Sequence, residues 1–270
     1  MTRQQLTEQI FLKKSYLCVG LDSEISRLPT HLQSRPKAII DFNKAIIDAT
    51  LDHCVGYKIN TAFYEALGTK GWEAMEETVN HIPATHFKIA DAKRGDIGNT
   101  SKQYAKAFFE ALNFDAITVA PYMGEDSVRP FLEYEGKWTI LLGLTSNPGA
   151  NDFETKLIND SLGSMPLYER VIRTASTWGN TDNLMFVIGA TRAEQFDSLR
   201  EISPGHFFLV PGVGAQGGSL SEISRKTLLP DGGLLVNVSR AVIFASSGED
   251  FADKAKLAAM TYQKEMKEYL

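Results

Sequence analysis

Residues 86–120 read HFKIADAKRGDIGNTSKQYAKAFFEALNFDAITVA. A short apolar run, His86–Ala90, passes through a polar segment into a helix-length amphipathic stretch, Thr100–Leu112, and then into a second short apolar run, Ala116–Ala120. A strand, a helix and a strand in that order imply parallel pairing, because a parallel neighbour is reached only through a long crossover, usually helical. The unit repeats in both directions. Upstream, Tyr16–Leu21 precedes Pro36–Asp52, and Val55–Ile59 precedes Gly71–His81. Downstream, Ala116–Ala120 precedes Asp126–Tyr134, and Trp138–Leu144 leads through a long loop to Leu167–Trp178. Leu184–Ile188 then precedes Arg192–Ile202, Phe207–Val210 precedes Leu220–Lys226, and Leu234–Val238 precedes Phe251–Glu268. An open doubly wound sheet and a closed barrel both accommodate such alternation. Eight strand–helix units in about 250 residues match the (β/α)8 TIM barrel. No Pro/Gly-rich linker divides the chain, so residues 1–270 read as a single α/β barrel domain.

Composition narrows the function classes. Apolar residues make up 43% and charged residues 23% of the chain, an ordinary globular balance that excludes disorder, collagen and coiled coil. Lys and Arg number 28 against 33 Asp and Glu, a net charge of −5, so the basic footprint of a nucleic-acid binder is missing. The start, Met1–Ile10, has no apolar core of signal-peptide type. No segment approaches the roughly 18 uncharged apolar residues of a spanning helix, and a cytoplasmic protein without membrane partners is expected. Cys18 and Cys54 lie in apolar runs without CxxC spacing and read as buried, reduced thiols. His31, His53, His81, His86 and His206 show no HxH or HxxxH spacing, so no metal triad is expected. Ser146 lies in no G-x-S-x-G elbow and is not a nucleophile candidate.

Polar residues gather where the strands end, the face on which barrels of this type carry their sites. Asp22 follows the first strand, Lys58 and Asn60 lie in the second, and the third runs into Asp91-Ala92-Lys93. Alternation along a strand puts Lys58 with Asn60, and Asp91 with Lys93, on common faces. Thr145-Ser146 ends the fifth strand and Ser239-Arg240 the eighth. The segment Asp91–Thr100 also has a plainer reading: a solvated turn in which Asp96 or Asn99 caps the next helix. Arg94-Gly95-Asp96 spells an adhesion-type tripeptide, but the apparent compartment is wrong for that use. Tyr104, Phe108, Phe109 and Phe114 read as core, and Tyr122 and Met123 as either a pocket wall or core.

After the seventh strand, Pro211–Gly218 contains a literal G-x-G-x-x-G, Gly212 through Gly217. The dinucleotide fingerprint should instead open a βαβ unit and find its acid on the following strand. Asp231 has the right distance but sits in a Pro-Asp-Gly-Gly turn. Barrels place phosphate at the loops after strands seven and eight, so a phosphate site is the better reading, with Gln216 adding an amide and Arg240 a two-pronged guanidinium. Two loops, Asn147–Met165 and Gly212–Gly233, are long enough for lids or binding loops.

The pattern D-x-K-x-x-D-I-x-N-T at Asp91–Thr100 resembles orotidine 5′-phosphate decarboxylase. Gly20-Leu21-Asp22, Tyr57-Lys58-Ile59-Asn60, Pro211–Gln216 and Val238-Ser239-Arg240 support it in family order, and Thr145–Gly149 resembles the longer bacterial branch. One departure stands before the phosphate arginine, where Ser239 replaces a glycine common in the family. The resemblance implies conversion of orotidine 5′-phosphate (OMP) to UMP and CO₂ in pyrimidine biosynthesis, with no metal or organic cofactor. It implies that Asp22 and Lys58 bind ribose hydroxyls, and that Asp91, Lys93 and Asp96 form a charged array at the reacting carbon. Lys93 would stabilise the carbanion and donate the proton. It further implies that Asp96 and Thr100 reach the site from the second subunit of a homodimer, that Ser146 reads the pyrimidine, and that Gln216 and Arg240 hold phosphate. The nearest rival is a sister barrel with the same D-x-K-x-x-D array, a Mg²⁺-dependent phosphosugar decarboxylase or aldol-type synthase. The D-I-x-N-T continuation and the Gln216 context disfavour it. A non-catalytic nucleotide-binding module leaves the ordered polar strand ends unexplained.

Overall fold

A computed structural model describes residues 1–161, 163–214 and 217–270. Its strands are β1 (Leu17–Gly20), β2 (Gly56–Asn60), β3 (Phe87–Arg94), β4 (Ala116–Val119), β5 (Trp138–Leu144), β6 (Leu157–Asp160), β7 (Gly163–Pro166), β8 (Leu184–Ile188), β9 (Phe207–Pro211) and β10 (Leu234–Val238). Eight of them close a parallel barrel in the order β1-β10-β9-β8-β5-β4-β3-β2, while β6 and β7 form a separate antiparallel pair. The alternation therefore resolves to the closed architecture. Its strands are nearly continuous apolar runs because the sheet is covered on both sides, by helices outside and by packed side chains within. Phe87, Trp138 and Phe207 open β3, β5 and β9 and meet edge to face, with ring centroids 6.2 and 6.0 Å apart. They are a layer contributed by alternate barrel strands at the end opposite the mouth.

Three elements depart from the sequence reading. β3 continues to Arg94, four residues beyond the predicted end, with a register shift against β4 between Ala90 and Arg94. Asp91, Lys93 and Arg94 look like a turn only because their polar side chains are judged as if exposed, whereas Asp91 and Lys93 line a cavity at the barrel mouth and Arg94 pairs with Glu65. The Asn147–Met165 loop contains a 3₁₀ turn (Pro148–Asn151) and the β6–β7 hairpin. The unpredicted helix Arg3–Lys13 closes the floor of the barrel, with Leu6 and Ile10 fully buried. Thr2 and Gln5 form its capping box, yet Phe11 and Leu12 remain exposed, which blurs the apolar periodicity. Cys18 and Cys54 are buried and free, and Phe108, Phe109 and Phe114 are core, as read. Tyr122 and Met123 are neither wall nor core: they are 95% and 48% exposed.

Two histidines immediately precede strands on the floor side. Burial foremost, with the neighbouring Lys13 ammonium, pushes His86 down to about 4. Lys13 Nζ lies 2.6 Å from His86 Nε2, which is also 2.8 Å from Leu51 O, and the ring's Nδ1 faces Thr85 Oγ1. His206 also falls to about 4, chiefly through burial and then through Arg3 and Arg200; both its ring nitrogens are buried without a partner. Below pH about 6.5 the unfolded chain takes up protons that these folded rings refuse, so stability falls as pH drops from about 6.5 toward 4. Each ring contributes about 3 kcal/mol to that loss, at 1.36 kcal/mol per pKa unit. Urea unfolding at pH 7 and pH 4.5 checks this: His206→Leu is expected to lose visibly less stability between the two than the wild type, and an equal loss refutes the assignment.

Candidate active site

The mouth is organised by an alternating line of charge. Lys58 Nζ, on β2, donates to Asp91 Oδ2 at 2.9 Å and to Asp22 Oδ1 at 3.4 Å. Lys93 Nζ donates to the other Asp91 oxygen at 2.6 Å. Asp91 Oδ1 also accepts from Thr118 Oγ1 at 3.1 Å, and that hydroxyl accepts from Lys93 N at 2.9 Å. Lys93 needs this support because its backbone is left-handed, φ 47°, which a residue with a Cβ rarely adopts. The turn aims its ammonium back along its own strand at Asp91.

Burial grades along the line: the Lys58 side chain is 5% exposed, Asp91 12%, Asp22 20% and Lys93 50%. For Asp91, burial alone would raise the carboxyl, but Lys58 and then Lys93 reverse it and hold it well below the usual carboxylate range. For Lys58, burial opposes the charge, and Asp91 followed by Asp22 override it, so its ammonium stays above the usual lysine value. Both are locked in their charged forms at neutral pH.

These groups line one side of a cavity of about 280 Å³. The opposite wall is apolar: Leu142 from β5, Val187 from β8, and Leu209 and Pro211 from β9. At the rim, Gly212 and Val213 face Ser239 and Arg240. Gly212, Gly214 and Gly217 have φ of 101, 73 and 87°, so the chain folds back on itself, with Gly218 N donating to Gly212 O. Ser239 donates to Gly20 O at 3.0 Å, and a Cβ at Gly20 would lie 2.7 Å from the Ser239 Cβ. Ser239 is thus accommodated by a glycine on the adjacent strand.

Asp22, Lys58, Asn60, Asp91, Lys93, Ser146 and Arg240 therefore share one cavity. Gln216 lies outside the described residues. Asp96 and Thr100 do not line the cavity of their own chain. The Asp96 carboxylate accepts from Ile97 N at 2.7 Å, and Thr100 is exposed on the first turn of helix Gly98–Lys106. That helix starts after Ile97 with no side-chain cap, so neither Asp96 nor Asn99 serves as one. Arg94 is paired with Glu65 and lies over the Tyr104 and Phe108 rings, which removes it from any exposed adhesion tripeptide. The reading missed Thr118 and Asn237, the latter a cavity residue only 7% exposed. Their signal was present: each is a lone polar residue inside an apolar strand, Ala116–Val119 and Leu234–Val238. Among the described residues no group of three or more His, Cys, Asp or Glu forms a metal-type cluster, and no helix is long and apolar enough to cross a membrane.

The model of the orotidine 5′-phosphate decarboxylase / HUMPS family matches residues 15–255. The chain is 58% identical over 273 residues to the orotidine 5′-phosphate decarboxylase of Flavobacterium johnsoniae, covering 100% of this chain and 98% of that one. It resembles the solved OMP decarboxylase of Leishmania donovani at 34% identity and a TM-score of 0.81, covering 98% and 99% of the two chains. It resembles the UMP synthase of the same organism at 36% identity and a TM-score of 0.81, covering 96% of this chain but 56% of that one.

Removing one member of a buried ion pair leaves the other charge uncompensated, and Lys58→Met is expected to cost about 3–5 kcal/mol. The stability Asp91 contributes through its lowered pKa is present above the ordinary carboxylate range and is lost as pH falls through the folded value. Denaturant titration at pH 7 checks the cost, and a loss under 1 kcal/mol, within the range of ordinary exposed pairs, refutes it.

Proposed function

From its membership in the orotidine 5′-phosphate decarboxylase / HUMPS family, to which this chain belongs as a carboxy-lyase of pyrimidine biosynthesis, we propose that the cavity converts OMP to UMP and CO₂ by charge alone, with Lys93 as the proton donor. The observation that carries this reading is the Lys93 ammonium 2.6 Å from Asp91, at the edge of a cavity whose far wall is apolar. Breaking the bond between pyrimidine C6 and its carboxylate leaves the electron pair in an sp² orbital in the ring plane. The ring's π system cannot delocalise it, which is why other decarboxylations recruit an organic electron sink. Here a fixed cation at the reacting carbon takes that part. Lys93 stabilises the developing carbanion and then gives it a proton, yielding the C6–H bond of UMP and a neutral amine that reprotonates from solvent. Asp91 aims the ammonium, and Lys58 keeps Asp91 ionised. Preorganised charge in a water-poor site is usually the largest catalytic term.

The remaining groups are assigned by the same logic. Asp22 and Lys58 hold the ribose hydroxyls, Ser146 faces the pyrimidine, and Gln216, the loop backbone and Arg240 hold the phosphate. Phosphate contacts lie far from C6, so their binding energy is available to close the Gly212–Gly233 loop. Asp96 and Thr100 enter the site of a second copy in a homodimer. Support for that comes from exposed apolar side chains beside them: Ile97 is 61% exposed, and Tyr122 and Met123 follow a strand end that donates from Ala120 N to Arg94 O. The enzyme so described works in the cytoplasm.

The decisive measurement is loss of OMP absorbance with and without EDTA. Turnover unchanged by chelator supports the reading, and metal-dependent turnover of a keto-sugar phosphate in place of OMP overturns it. Lys93→Ala is expected to abolish turnover with UMP binding still measurable; substantial residual kcat refutes its role. Arg240→Ala is expected chiefly to raise KM. Mixed Lys93→Ala and Asp96→Ala subunits are expected to regain partial activity, because each heterodimer holds one intact site. No recovery after verified subunit exchange refutes the shared site.

A further inference from the structure

The Asn147–Met165 insertion has no part in the chemistry above, yet one of its side chains reaches the cavity-lining segment Thr145-Ser146-Asn147. Glu154 accepts from Thr145 N through Oε2 at 2.7 Å and from Thr145 Oγ1 through Oε1 at 2.7 Å. Thr145 Oγ1 also lies 2.6 Å from Asn147 Oδ1. A hydroxyl has one proton, which Glu154 Oε1 and Asn147 Oδ1 both face, and the carboxylate is the stronger acceptor, so Thr145 donates chiefly to Glu154. The third polar group of Thr145, its carbonyl, accepts from Arg192 Nε at 3.0 Å.

Thr145 is therefore held at N, O and Oγ1 just where the chain leaves β5 and loses its ladder partners. Ser146, the next residue, packs against Gly189 so closely that a Cβ there would lie 2.6 Å from Ser146 N. Glu154 is itself anchored. Its carbonyl accepts from Tyr168 N at 2.8 Å, and Lys156 O accepts from Leu167 N at 2.9 Å, which ties the insertion to the start of helix Leu167–Ala175.

We propose that Glu154 is a positioning residue: acting through Thr145, it fixes Ser146 and Asn147 against the pyrimidine and so sets recognition of the base, a role that rests on the reading of Ser146 given above. The insertion is then a buttress for the base-reading segment, and its contribution falls on the base half of the ligand and spares the phosphate half.

The test compares competitive inhibition by UMP with that by ribose 5-phosphate, which lacks the base. Glu154→Gln keeps the shape but offers one acceptor and confronts Thr145 with an NH₂ group. It is expected to raise Ki for UMP and lower kcat/KM for OMP by about tenfold or more, the scale of a lost hydrogen bond to a charged group, with Ki for ribose 5-phosphate unchanged. Thr145→Val removes the hydroxyl without touching the insertion, and its effect on UMP is expected to be less than additive with that of Glu154→Gln. Should Glu154→Gln fold poorly, Thr145→Val reads the same contact. Equal losses for both inhibitors, or none, overturn the inference. Ser146→Ala separates the two readings: if it weakens UMP while Glu154→Gln and Thr145→Val do not, the buttress is wrong and the base contact stands. If Ser146→Ala leaves UMP binding unchanged, the base contact falls and the buttress with it.

Discussion

A lysine that is almost wholly enclosed, held between two carboxylates, is the constraint on which the rest of the mouth depends. Lys58 can stay charged only because Asp91 and Asp22 face it, and Asp91 can stay charged only because Lys58 and Lys93 take one oxygen each. Desolvating any one of these groups alone would cost several kcal/mol. Together they form a line in which every neighbour has the opposite sign, so each charge is compensated locally. The members come from three adjacent barrel strands, β1, β2 and β3, whose parallel pairing brings Lys58 next to Ile89 and Asn60 next to Asp91 in register. A two-residue slip of β3 would separate the charges and leave them buried without partners. Fold and electrostatics thus specify one another.

The same arrangement divides the cavity by character. One wall carries fixed charge and the other is hydrocarbon from β5, β8 and β9. Gly212, Val213, Ser239 and Arg240 stand at the rim, apart from the charged line.

How much of this the sequence discloses depends on which residues keep a simple periodicity. Strand–helix alternation survives in the primary sequence because covered parallel strands remain apolar, as in Leu184–Ile188 and Leu234–Val238, whose limits are as read. Polar residues at strand ends are legible too, since alternation alone pairs Asp91 with Lys93. The left-handed turn at Lys93 and the extension of β3 are not legible, because both depend on Thr118 from the next strand. The N-terminal helix escapes notice because only Leu6 and Ile10 of its residues are buried. Asp96 and Thr100 are legible only through a family pattern: within one chain nothing brings them to the cavity.

Glu154 belongs to the same class as Thr118, a residue whose significance is in what it holds. A barrel strand gives up its hydrogen-bonding ladder where it reaches the mouth, and the residues that follow must be fixed by other means if they are to discriminate a ligand. After β3 the means is a hydroxyl from the neighbouring strand, and after β10 it is Ser239 bonded to the backbone of β1. After β5 the Arg192 guanidinium that follows β8 holds the Thr145 carbonyl, and a carboxylate returning from nine residues downstream holds its N–H and hydroxyl. That reach makes a loop outside the barrel part of the definition of its binding site.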